Sequence, residues 1–252
     1  MDWLMDLILK LGIAGVLVSL SGLAASWSLL RGLKPRAVVA AGAMAVLLFF
    51  AAFFLLLESS LTQNTQGFFG QFFDETWTRQ AQGLTSMGFS KENIETFKVF
   101  FQKYVFYSYP AWLGVIALVS GLVAYYLVSS ILSRISPKVP KAMAFREWIV
   151  PEPLVFGLIL GSLFKLLFKE NSPLDLIADN LLVFFVMLYA LGGLSIVSFF
   201  FNKWKLPPVM RFLSYALFLN LVPETICVFG VLDVWFDFRK LKSAPPEPTP
   251  TA

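Results

Sequence analysis

The residues able to do chemistry are few, and they gather towards the C-terminal end of the chain. Glu224 follows Pro223 inside a long apolar run, about Pro208 to Phe236. Proline has no N–H for the helix ladder, so the run must kink or break there. Carbonyls freed beside a carboxylate can form a polar or cation-binding site inside a membrane. The alternative is structural, with Glu224 partnering Asn220, Lys165 or another base. A second cluster is Asp233, Asp237 and Arg239. The two acids are four apart and would share a helix face, where they could bind a cation or clamp a basic loop. Asp175, Asp179 and Asn180 fall near the start of another apolar run, where a helix N-terminus favours negative charge.

Other chemistry is excluded by what the chain lacks. It has no histidine, which removes imidazole acid–base catalysis and most zinc and copper sites. Its single cysteine, Cys227, permits neither an internal disulfide nor a thiolate cluster and reads as an inert thiol in an apolar run. There is no glycine-rich phosphate loop, no zinc-protease motif and no serine elbow. No catalytic residue, metal site or cofactor is expected, and the chain reads more readily as a non-enzyme.

The elements that must position these residues follow from composition. Of 252 residues, 58% are hydrophobic and 14% charged, against about 25% charged in soluble domains. A water-soluble fold is thereby excluded. The net charge of +4 lacks the basic runs of a nucleic-acid groove and instead suits membrane topology. The expected fold is all-α, a polytopic bundle of about six membrane segments forming a single integral membrane domain over residues 1–242. A bilayer core needs about 20 helical residues per crossing. Five runs meet or approach this: about Leu7–Leu30, Ala37–Leu57, Pro110–Ile131, Pro153–Phe168 and Leu176–Phe201. The sixth is the run broken by Pro223. The N-terminus lacks the basic start of a secretory signal and reads as a retained first helix. In that helix Gly15, Ser19, Gly22 and Ser26 share one face and allow close helix approach.

Residues 58–107 form an amphipathic helical insertion, expected outside the cytoplasm. Phe69, Phe73 and Trp77 recur at helical spacing, and Ser90 can cap a second helix containing Ile94, Phe97 and Phe101. The pair could lie in the membrane interface or fold over the bundle's outer mouth as a lid. The tail, residues 243–252, is proline-rich and expected to be disordered. Bases concentrate in the loops near 31–36, 133–152 and 202–211, which the positive-inside rule makes cytoplasmic. The 58–107 segment holds five acids against four bases. The N-terminus is then outside, and six full crossings would put the C-terminus outside too. Arg239, Lys240 and Lys242 oppose that. Either Asp233 and Asp237 offset these bases, or the last segment does not cross.

Three stretches carry a resemblance: Phe145-Arg-Glu-Trp148 with Pro151, Leu206-Pro207, and Gly230-Val-Leu-Asp-Val-Trp-Phe-Asp-Phe-Arg239. With Pro110, they resemble the DUF2232 / YybS-like family of bacterial integral membrane proteins over roughly residues 55–240. That family is similar to the substrate-binding membrane subunits of energy-coupling-factor vitamin transporters. The resemblance implies a six-helix bundle in the cell inner membrane that binds a small molecule and works with other membrane or ATPase subunits. It assigns no residue to a ligand. The alternative is a non-transport scaffold or regulatory subunit of another membrane complex.

Overall fold

A computed structural model describes residues 2–60, 65–103, 107–170, 172–221 and 223–241; side chains are described from residue 14 onward, outside 57–69, 71–72 and 219–223. The proline-rich tail at 243–252 lies outside the described residues, as does the side chain of Asn220. All regular structure among the described residues is helical: α1 Asp2–Leu30, α2 Pro35–Ser60, α3 Thr65–Ser86, α4 Lys91–Phe101, α5 Tyr109–Ile135, α6 Val155–Leu167, α7 Pro173–Lys203, α8 Pro208–Leu221 and α9 Pro223–Phe236. The chain packs as two compact units, residues 1–142 and 143–252.

Among the described residues, three helices are long and apolar enough to cross a membrane: α2 over Pro35–Leu56, α5 and α7. The described part of α1, Ala14–Leu30, is a shorter apolar helix. This is fewer than the five runs that meet or approach spanning length in the sequence. The difference lies partly in α6, which has 13 residues and a length of about 20 Å. Pro151 and Pro153 keep the chain before it extended or in single 3-10 turns, and Phe168 ends it in an extended conformation.

In the N-terminal unit, α1, α2 and α5 pack against one another. Glycine makes the approach of α2 to α5 close. A Cβ on Gly121 would fall against the Val39 carbonyl and 2.9 Å from the Ala43 nitrogen, and one on Gly42 would lie 3.1 Å from the Gly121 Cα. Ser21 of α1 is fully buried beside this contact, its hydroxyl facing the carbonyls of Val18 and Ser120 at 3.3 and 3.4 Å. The buried face of α1 runs through Leu17, Ser21, Ala25 and Ser28. It is not the Gly15/Ser19/Gly22/Ser26 face. A Cβ at Gly15 or Gly22 would meet nothing within 4 Å.

The helices α3 and α4 form a hairpin in the same unit. Trp77 and Ile94 are buried, and Phe73, Trp77 and Phe101 follow one another at ring separations of 6.2 and 6.1 Å. Gly88 turns the chain at φ +88°, and Ser90 caps α4 by accepting the Asn93 N–H at 3.2 Å. Between the two helices is an open apolar cavity of about 350 Å³ bordered by Trp77, Leu84, Met87 and Phe97.

In the C-terminal unit, α7 is the central element, and α6 and α9 pack on it. Gly157 and Gly161 of α6 lie against Phe185 and Leu181 of α7. Residue numbers fall on α7 as they rise on α6, so the two are antiparallel. The same holds for α9: Gly193 sits on the Ile226 carbonyl and Gly230 on the Tyr189 carbonyl. Helix α8 stops at Leu221 and α9 starts at Pro223, which puts the break where proline's missing N–H requires it.

Candidate functional site

The antiparallel register of α6 and α7 brings Lys165 to the start of α7. Its Nζ lies 2.6 Å from Asp175 Oδ1 and 2.7 Å from Asp179 Oδ1. The two aspartates, four apart, share one face of α7 and are almost wholly buried, while the lysine is partly exposed. Ser172 caps α7 by accepting the Asp175 N–H at 3.2 Å, so Asp175 also faces the positive end of the helix. One ammonium and one helix terminus thus offset most of the charge of two carboxylates. A bare pair of buried carboxylates would strongly resist double ionisation. The cluster ties the end of short α6 to α7.

The second cluster is built on Arg239. Its Nη2 donates to Asp233 Oδ2 at 2.7 Å. Its Nη1 faces the Ser195 hydroxyl at 2.6 Å and the carbonyls of Arg146 and Trp148 at 2.8 and 3.0 Å. Two hydrogens on Nη1 serve three acceptors, so at least one bond is shared. The Ser195 hydroxyl in turn faces the carbonyls of Phe145 and Trp148 at 2.8 and 2.9 Å. Asp233 Oδ1 accepts the Phe238 N–H at 3.0 Å, which folds the chain back just after α9. Asp237 adopts φ +42° and accepts the Leu241 N–H on its carboxylate at 3.0 Å. The side chains of Arg239 and Asp233 are 1% and 6% exposed, so the guanidinium is held inside protein rather than in water.

The sequence-read residues are distributed as follows. Asp233 and Arg239 are joined. Asp237 stands beyond the end of α9, so the two acids share no helix face. Lys165 is bonded to Asp175 and Asp179. Glu224 is exposed in the first turn of α9. Cys227 is half-buried on α9. Sequence reasoning missed Ser195 and the backbone carbonyls of residues 145–148, because a serine in an apolar run and a peptide carbonyl carry no pattern. For Asp175 and Asp179 the four-residue spacing is the available signal for a shared cation. No group of three or more candidate metal ligands occurs among the described residues.

Phe145–Trp148 and Gly230–Arg239 are therefore parts of one structure. Arg239 is bonded to the backbone of the first segment, and Gly230 allows α9 to touch α7. Comparison with known proteins supplies the family. Residues 4–234 match the family described as "Predicted membrane protein (DUF2232)". The chain is also similar to the uncharacterized protein YybS of Bacillus subtilis (strain 168), 28% identical over 136 residues. That stretch is 53% of this chain and 44% of the relative, so less than half of the relative is spanned. No solved structure matches.

Proposed function

The chain belongs to the DUF2232 family of membrane proteins, and on that premise we propose that it is a transport-related membrane subunit. It would bind a small molecule in the membrane and depend on another membrane or ATPase subunit for the work of transport. The observation that carries this is the uncovered small-residue face of α1. Ser19 and Ser26 donate to the carbonyls of Gly15 and Gly22 at 2.7 Å each, so their hydroxyls need no further partner. Gly15 and Gly22 have open space where a Cβ would stand. Such a face admits a second helix at close range, and small residues are how membrane helices associate. In this reading Glu224, beside the Pro223 break, is the carboxylate offered to the ligand. The α3–α4 hairpin lies outside the cytoplasm.

The proposed topology has the N-terminus outside, with loops 31–36, 133–152 and 202–211 in the cytoplasm. The final segment re-enters without crossing. Support for this comes from Arg239, which is bonded to Arg146 and Trp148 of a loop read as cytoplasmic. That brings Arg239 and Lys240 to the side their charge favours.

The test is mass spectrometry on gently purified full chain, reading bound small molecules and co-purifying subunits together. A retained small molecule and an ATPase-containing partner are the expected result. Gly22→Leu should lose the partner while the isolated chain stays folded. Partners without any bound molecule would favour the scaffold reading. That reading has its own support in the two charge clusters, whose acids and bases pair with one another.

A further inference from the structure

The end of α7 combines an apolar slot with a basic rim. An open groove of about 360 Å³ lies between α7, α8 and α9, lined by Ile196, Val197, Phe200, Phe201, Phe218 and Phe229, with Trp204 at one end. Its lining is wholly apolar. Three bases, Lys203, Lys205 and Arg211, lie near Trp204 in the chain. Lys203 Nζ lies 5.9 Å from the centre of the Phe200 ring, and that ring is 5.4 Å from the ring of Trp204. Lys205 is exposed in the turn that follows, held at φ +55°. Arg211 is tied to the same turn, its Nε donating to the Leu206 carbonyl at 2.7 Å. Trp204 itself is 63% exposed, as a ring at the headgroup level of a bilayer would be.

We propose that this fork binds one anionic phospholipid, with an acyl chain in the groove and the phosphate against Lys203, Lys205 and Arg211. The combination of features selects the ligand. A free anion has no use for a slot walled by four phenylalanines, and an apolar peptide or a neutral lipid has no use for three bases at its mouth. From Ile196 to Trp204 the helix rises about 12 Å, enough to line the upper part of an acyl chain. The lysine stems can lie along the apolar wall while their ammonium groups reach the phosphate. Basic pockets between membrane helices are a recognised form of anionic-lipid site.

The experiment uses the purified, delipidated full chain, offered phosphatidylglycerol or phosphatidylcholine. Native mass spectrometry counts retained lipid, and thermal unfolding reads its effect. Phosphatidylglycerol is expected to be retained and to raise the unfolding temperature more than phosphatidylcholine. The double variant Lys203→Gln/Lys205→Gln should weaken phosphatidylglycerol binding about tenfold or more, leaving phosphatidylcholine unchanged. Removing the same charge elsewhere, in the exposed pair Lys138→Gln/Lys141→Gln, should have no such effect. Val197→Trp, which narrows the slot without touching a base, should also reduce retention. Equal binding of the two lipids would overturn the proposal. So would equal losses in the two lysine double variants, since these would mean general attraction to a basic protein.

Discussion

Arg239 shows how much a single side chain can hold inside a membrane protein. Removing one partner of a buried ion pair costs about 3–5 kcal/mol, because the other is left charged and unpaired. Arg239→Ala and Asp233→Ala are each expected to lower thermal stability by about that amount, measured on purified protein in detergent. Arg239→Lys should recover little, since an ammonium lacks the planar fork that reaches Asp233 on one side and Ser195 on the other. The double variant Asp233→Asn/Arg239→Gln should be less damaging than the sum of its parts. At Lys165 the order of effects is the prediction. Lys165→Met leaves two buried carboxylates facing each other, whereas Asp179→Asn leaves one ion pair intact. Thermal unfolding should therefore show the lysine variant to be clearly the weaker protein. Equal losses would mean that the two aspartates do not depend on the shared ammonium.

At the scale of elements, the long apolar helices were legible because a bilayer demands an uninterrupted apolar run and tolerates few charges. The break at Pro223 and the cap at Ser90 were legible because each rests on local backbone chemistry. The brevity of α6 was legible too, since Pro151 and Pro153 precede its apolar run and Lys169-Glu170 follows it. Partnerships between charges were not legible. Whether Lys165 meets Glu224 or Asp175 depends on the register of α6 against α7, and glycines set that register where helices touch. Gly230→Ala is accordingly expected to destabilise the C-terminal unit, because its methyl would fall on the Tyr189 carbonyl. Gly15→Ala should leave the isolated protein unaffected and would gain slightly in helix propensity. Paired thermal melts would check this, and a harmless Gly230→Ala would refute the antiparallel contact described above. The small-residue face of α1 carries a related lesson. Its spacing announced close packing, yet the chain buries the neighbouring face through Ser21 and leaves open space at Gly15 and Gly22.

For the whole molecule, orientation is the property with the most immediate check. A reporter fused after Leu241 should give a cytoplasmic signal if the last segment re-enters, and an extracytoplasmic one if it crosses. A second reporter within residues 87–90, at the tip of the α3–α4 hairpin, should report the opposite side from the loop at 31–36. Two units of separate packing, one led by glycine contacts between α2 and α5 and one centred on α7, also lead to different sensitivities. Gly121→Leu should disturb proteolytic protection in residues 1–142 first, and Arg239→Ala in residues 143–241. The dependence on Arg239 has a temporal side as well. It is made 91 residues after Trp148, whose carbonyl it holds. At about 5–20 residues per second, the 145–148 turn waits some 5–20 s on the ribosome's schedule before its guanidinium exists. In the later part of that interval, once Lys203 has been added, α7 is already made while the backbone beside it lacks its permanent donor. The 145–148 turn therefore gains its guanidinium donor only after α9 has been made, and until then its carbonyls are open to other donors.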